Sequence, residues 1–351
     1  MLLILALACT SSTGEGPATD TDTAVDLAWA SALQSALDEA HAEVGAPGVQ
    51  AHVWQGDQRW TGVAGYADVD AGDPVRIDHV FRMASITKMF VGALAAELHV
   101  DGQLDLDLPV STWVPSAPRA DDYTLRDALH HVTGLPDYVE KGPLLIAMDQ
   151  PWTPDELLAL VEDDALHFEP GTAYEYANTN YLVAGLAIEA ATDRTWQEQV
   201  RERFVDPLEL PQVSFPTEEP VAGELVRGYA GDGGNVLLSD DVDPSIAWAV
   251  GEIVADAPDL AAACRALVRG DTLTPEAHAL WLQERRLSDG TGTAYGLGVE
   301  LEDHRVGHSG SILGFQSRVY VDRDGERTVV AAVNSFTTEA DGIAEPLWAV
   351  D

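Results

Sequence analysis

"QSRVYVDRDGERTVVAAVNS", residues 316–335, decides how the rest of this chain is read. β-Branched and aromatic residues crowd both sides of "DRDGER", and such runs favour pleated strands. Asp-Gly between two of them signals a tight hairpin. Working outward, "TAYGLGVEL" (293–301) and "RVGHSG" (305–310) bring the expected strands to three or four, and "DGIAEPLWAV" (341–350) reads as a short closing helix. The other end of the chain has a counterpart. "GVQAHVWQGDQRWTGVAGYADV" (48–69) reads as two strands around a Gly-Asp turn, after a helical "DLAWASALQSALDEAHAEV" (26–44).

The middle is helical. A helix opening at Ser85 runs to about Val100, where "DGQLDLDLPV" breaks it. "TLRDALHHVTGLPDY" (124–138) and "TPDELLALVED" (153–163) carry polar starts and Gly or Pro stops. "NYLVAGLAIEAAT" (180–192) is a further apolar helix, and "DAPDLAAACRALVRG" (256–270) has Asp256 at its N-cap and Gly270 at its end. The expected class is therefore α+β. One antiparallel sheet is drawn from both chain ends and flanked by the terminal helices, an all-helical lobe fills the middle, and the site lies in the cleft between them. The α/β lobe is expected over about 27–80 and 285–351, and the helical lobe over about 81–284.

The chain of 351 residues is long enough to bury a sizeable core. Nineteen basic residues stand against fifty-nine acidic ones, a formal charge of −40. Such a shell repels a phosphate backbone, so nucleic acid is set aside as a partner. Two cysteines give no disulfide framework, and Cys264 falls in an apolar helical stretch as a small core residue. No His-Glu-x-x-His or Cys-x-x-Cys spacing suggests a metal, and no cofactor is expected. His130 and His131 are adjacent, so on a helix they point apart.

Two segments suggest chemistry. "ASITKMF" (84–90) places Ser85 three residues before Lys88, one of only two lysines in the chain. Positions i and i+3 share a helix face, and a lysine held in a dry cleft has a lowered pKa. A serine hydroxyl needs such a proton acceptor, and the free N–H groups at a helix start suit an oxyanion. "MLLILALAC" resembles the lipobox of bacterial lipoprotein signals, although no basic residue precedes it and the apolar run is short. That resemblance implies a signal-like segment over 1–8, a lipid anchor at Cys9, a disordered tether over 9–26 and an exported, cell-envelope location for the domain at 27–351.

Two more segments join Ser85 and Lys88: "FEPGTAYEYANTNY" (168–181), with Tyr176-Ala177-Asn178, and "VGHSGSILGF" (306–315), with His308-Ser309-Gly310. Together "SITK", "YAN" and "HSG" resemble the three motifs of the penicillin-recognising serine hydrolases, which include class C β-lactamases, type B D-Ala-D-Ala carboxypeptidases and related esterases. "LHHVTGLPDY" and "YGLGVEL" look like family segments in the right order, over roughly 45–335.

The resemblance implies acylation of Ser85, proton shuttling by Lys88, and Tyr176 as general base or acid. It implies Asn178 on a substrate amide, and an oxyanion hole from the N–H groups of Ser85 and Ser311. It places His308, Ser309 and Gly310 along the substrate, with Gly310 leaving room for it. His308 stands where many members have lysine. A histidine there points to a D-Ala-D-Ala carboxypeptidase, with a carboxylesterase or class C-type β-lactamase of the same family as the alternative, acting on a small-molecule or peptidoglycan-peptide substrate, and to a KM that rises as pH climbs through about 6–7. Arg227, Arg305 and Arg318 are the candidates to bind a substrate carboxylate.

Two rival readings remain. "GHSGS" (307–311) resembles the nucleophile elbow of α/β-hydrolases with Ser309 as nucleophile, but its fifth residue is Ser311 and a strand is expected to follow, not a helix. A non-catalytic module that binds cell-wall fragments or a partner protein is the other.

Overall fold

The computed structural model describes residues 26–230, 236–237 and 242–350; Cys9, the signal-like segment and nearly all of the expected tether lie outside them. The main sheet has seven strands: β1 (Gly48–Gln55), β2 (Gln58–Asp68), β3 (Asp73–Pro74), β4 (Glu300–Leu301), β5 (Arg305–Ile312), β6 (Phe315–Asp322) and β7 (Arg327–Val333). Their order is β3-β2-β1-β7-β6-β5-β4, so the two ends of the chain meet at the β1–β7 pair. That pair is antiparallel, with Val49 opposite Val333 and Gln55 opposite Arg327. The sheet drawn from both chain ends is thus present, and "DRDGER" turns between β6 and β7. "TAYGLGVEL" contributes less strand than expected, because only Glu300–Leu301 joins the sheet.

Side-chain alternation sorts the sheet into two faces. Val329, Ala331 and Val333 of β7 pack with Val49, Ala51 and Val53 of β1 against α1 (Leu27–Val44) and the C-terminal helix. Val330 and Ala332 face the opposite way, into the larger core shared with the helical lobe. Local capping sets the helix ends. Asp26 Oδ1 accepts the Ala28 N–H at 2.8 Å, and Gly45 closes α1 at φ 67°. The central helix α2 (Thr87–Val100) is buried from Thr87 to Leu98, as a helix that is apolar all round must be. Against it pack α4 (Thr179–Thr192), which also carries α3 (Leu125–Leu129), and α6 (Pro275–Trp281); α5 is Ala257–Arg269, and α7 (Asp341–Trp348) closes the chain.

Two boundaries differ from expectation. α5 packs on β1, β6 and β7, so it covers the sheet and belongs with the α/β lobe. The long Gln50 side chain ties it there by accepting the Ala257 N–H at 2.6 Å. The helix expected to open at Ser85 begins instead as a 3-10 turn, Ala84–Ile86, and becomes α-helical at Thr87.

Candidate active site

The turn carrying Ser85 is held from three sides. Met83 N–H donates to Ile253 O at 2.8 Å, Ser317 Oγ on β6 donates to Met83 O at 2.8 Å, and Ile253 N–H donates to Thr87 Oγ1 at 3.1 Å. Ala84 sits at φ 48°, a left-handed conformation that costs a non-glycine residue energy and persists only where its surroundings impose it. A Cβ on Gly310 would collide with Ser317 Oγ and Met83 O and crowd Ala84 Cβ. The glycine therefore admits β5 against the serine turn. This corrects the expectation that it clears space for substrate. A Cβ on Gly298 would likewise strike Lys88 O, and its φ of 80° also favours glycine, so the "GLG" of "YGLGVEL" lies directly on α2 and only Glu300–Leu301 extends the sheet.

Lys88 Nζ lies 3.0 Å from Ser85 Oγ, 2.8 Å from Asn178 Oδ1 and 2.7 Å from Val250 O. The residue is fully buried, and that desolvation brings its pKa down from 10.5 to about 7, against the opposing pull of Asp137. The hydrogen inventory of the amine defines what it can do. Asn178 Oδ1 and Val250 O can only accept, so the two hydrogens of a neutral amine go to them and its lone pair faces the Ser85 hydroxyl.

The Tyr176 phenol faces Ser85, and desolvation pushes its pKa well above the ordinary value, against a lowering pull from Ser85. The residue is 37% exposed, with Lys88 Nζ 5.1 Å from its ring centroid. Ser85, Lys88, Tyr176 and Asn178 thus converge, as their motifs require. Asn178 is engaged on both sides. Its Nδ2 and its backbone N–H each donate to Asp137 Oδ2 at 2.9 Å, and its Oδ1 holds Lys88. The expected substrate amide therefore meets a side chain that already fastens the lysine. Asp137, in "GLPDY", is a site residue that motif reading missed.

The third motif differs more. His308 is 1% exposed and uses both ring nitrogens: Nδ1–H donates to Ser309 O at 2.5 Å, and Nε2 accepts the Tyr295 hydroxyl at 2.7 Å. Burial takes its pKa down to about 4, although Glu300 pulls the other way. A neutral, fully engaged imidazole does not offer a titrating cation to a substrate carboxylate, so the expected rise of KM through pH 6–7 loses its basis. Ser309 turns its hydroxyl to Glu300 Oε1 at 3.0 Å, and its N–H to the same oxygen at 3.2 Å. Strand β5 continues past it to Ile312 and turns into β6, which excludes a nucleophile elbow.

Beside Ser85 opens a cavity of about 340 Å³. Ser311 and Asn178 reach it, but most of its wall is apolar: Val139, Leu144, Met148, Ile246, Leu313 and Phe336. Among the described residues no lysine or arginine lines it, and positions 231–235 and 238–241 contain neither residue type. The three candidate arginines are engaged elsewhere. Arg318 pairs with Glu300, Glu302 and Asp341, Arg305 with Glu302 and Glu345, and Arg227 with Asp68. Asp73, His79 and Glu224 converge as metal ligands might, yet Arg76 already donates to Asp73 at 3.4 Å and to Glu224 at 2.6 Å, supplying a cation of its own.

Comparison with known proteins places this geometry. A D-stereospecific amidohydrolase from Streptomyces sp. superposes with a TM-score of 0.78 at 30% identity, over 91% of this chain and 98% of that one. The D-amino acid amidase of Ochrobactrum anthropi SV3 superposes with a TM-score of 0.79 at 27% identity, over 91% and 96%. Esterase EstB of Burkholderia gladioli is 30% identical over 209 residues, 54% of this chain and 53% of that protein. The first curated relatives are longer proteins, of which this chain spans 40–62%. The Beta-lactamase family model matches residues 33–350, from within α1 to the end of α7, and the chain accordingly belongs to the Beta-lactamase family.

Proposed function

We propose that the chain is a serine amidase or esterase. It works through an acyl-enzyme on Ser85 and takes substrates with an apolar group next to the scissile carbonyl and no carboxylate beside the leaving group. The observation that carries this reading is the pairing of a 3.0 Å Lys88–Ser85 contact with an apolar cavity whose described lining lacks any basic side chain. A carboxypeptidase needs a cation for its substrate's terminal carboxylate, and a chain of formal charge −40 repels such a substrate over long range. The same field draws in the ammonium of an amino-acid amide. The Streptomyces amidohydrolase and the Ochrobactrum amidase support a D-amino-acid amide as the model substrate, and EstB supports an ester.

The steps follow from the geometry. Neutral Lys88 takes the Ser85 proton as Oγ bonds to the carbonyl carbon. The N–H groups of Ser85 and Ser311 face the developing oxyanion. The tetrahedral species collapses by breaking the bond to the amine or alkoxide. Tyr176, held as a phenol, passes it the proton that Lys88 replaces. Water then attacks the ester on Ser85, and the same groups work in reverse to release the acid.

A substrate panel tests the proposal: D- and L-phenylalanine amide, p-nitrophenyl butyrate, nitrocefin and a D-Ala-D-Ala tripeptide, with Ser85→Ala as control. Turnover of amide or ester that vanishes in the control is the expected result. Preference for the tripeptide would overturn the substrate assignment. Failure of a fluorophosphonate to label Ser85 would leave the binding-module reading in its place.

A further inference from the structure

His131 is fully buried at φ 57°, a left-handed backbone that histidine rarely adopts. Its position brackets Tyr176. Its carbonyl accepts the N–H of Glu175 at 3.0 Å, and its ring Nδ1 accepts the N–H of Ala177 at 3.3 Å. The residues just before and just after Tyr176 are therefore bonded to the same side chain and its own backbone. The imidazole also stacks on the Tyr176 ring, with centroids 4.3 Å apart and planes at 29°. Behind it stand Tyr181 and Tyr295, at 5.2 and 5.0 Å.

We propose that His131 is the positioning residue for Tyr176, fixing the phenol against Ser85 through these two backbone bonds and one stacked ring. The inference rests on the reading of Tyr176 as the phenol that works with Ser85. Ordinary core packing leaves part of the arrangement unexplained. Nδ1 is an acceptor, so the neutral ring carries its proton on Nε2, and that buried atom has no hydrogen-bond partner. A side chain placed for packing alone would not combine an unsatisfied N–H with a strained backbone. In this conformation one residue reaches Glu175, Ala177 and the Tyr176 ring together, with the Asn180 amide also 3.2 Å from Nδ1. Burial, and then the nearby Lys88, hold the imidazole well below its ordinary pKa, which keeps Nδ1 free to accept.

A double-mutant cycle tests the assignment with p-nitrophenyl butyrate or D-phenylalanine p-nitroanilide. His131→Leu is expected to lower kcat about 10- to 100-fold with KM held within about twofold, the scale of a group misplaced by about 1 Å. His131→Asn, which keeps an acceptor and tolerates positive φ, is expected to recover most of the loss. In a Tyr176→Phe background His131→Leu is expected to cost less than about twofold more, because coupled residues are not additive. An equal loss in both backgrounds, or a rise in KM at unchanged kcat, would overturn the positioning role. His131→Phe keeps the stacked ring and removes only the acceptor, so it carries the same cycle if His131→Leu does not fold by melting analysis. Activity that survives in Ser85→Ala overturns the acyl-enzyme reading itself; additivity in a Ser85-dependent enzyme overturns only this inference.

Discussion

On one side of Ser85, Lys88, Asn178 and Asp137 form a chain of hydrogen bonds with little freedom left in it. On the other side, Leu144, Met148, Ile246, Leu313 and Phe336 line a cavity with scarcely a polar atom. The first wall is costly to build, since each buried polar group must find a partner or lose about 1–3 kcal/mol. It therefore tolerates few residue types, and in the proposed mechanism it holds the groups that move protons. The second wall needs only size and hydrophobicity, so it is free to define which acyl group fits. The proposed mechanism thereby assigns chemistry and selectivity to different walls.

Substitutions should separate the two walls, and the largest effect belongs to the polar one. Lys88→Arg is expected to lower kcat/KM by about 10³-fold or more, because a guanidinium stays charged and cannot take the Ser85 proton. Retention of activity there would dissolve the distinction between the walls.

A smaller effect is expected at the rim of the apolar wall. Met148 lines the cavity, and Leu145 lines it while 52% exposed, so trimming either to alanine removes contact area at little cost in stability. We expect kcat/KM for a phenylalanine amide to fall about 5- to 30-fold, with acetyl esters nearly unaffected, in line with about 1–2 kcal/mol for the area lost. Equal losses on large and small acyl groups would show that this wall does more than select.

The pH profile sharpens the comparison further. Lys88 must be neutral to act, so kcat/KM should climb through about pH 7. Asp137 holds the lysine pKa up, so Asp137→Asn should move that limb to lower pH, whereas Met148→Ala should leave it in place. The same shift reaches stability. Between about pH 7 and 10.5 the unfolded chain holds the Lys88 proton and the folded chain does not, so this group's contribution to stability rises with pH across that window. Lys88→Met should flatten that slope in chemical denaturation.

The smallest effect lies outside both walls. The acidic surface repels itself, and added salt should raise the melting temperature by a few degrees, while the KM of a cationic amide rises and that of a neutral ester does not. A melting temperature that is flat or falls with salt would count against self-repulsion.

Much of the frame was legible in local pattern. The strand-forming runs of β1 and β7, the Asp-Gly hairpin, the Asp256 and Gly270 ends of α5 and the spacing of Ser85 to Lys88 all depend on neighbours in sequence, where propensity and capping act. The motif reading also brought Tyr176 and Asn178 to Ser85. It failed where a residue's partners come from a distant segment. Nothing in "HSG" shows that Tyr295 takes one nitrogen of His308, or that Glu300 takes the Ser309 hydroxyl.

The sequence by itself determined the α+β class, the sheet drawn from both chain ends and the spacing that sets Lys88 beside Ser85, because each is written along one segment, whereas Tyr176 was singled out by the family resemblance. Only the tertiary structure decided that Asp137 holds Asn178, that His131 stacks on Tyr176, that Gly310 makes room for backbone, and that an apolar cavity adjoins Ser85. Those properties arise where separate segments exclude water from one another, and sequence spacing carries no record of which segments meet.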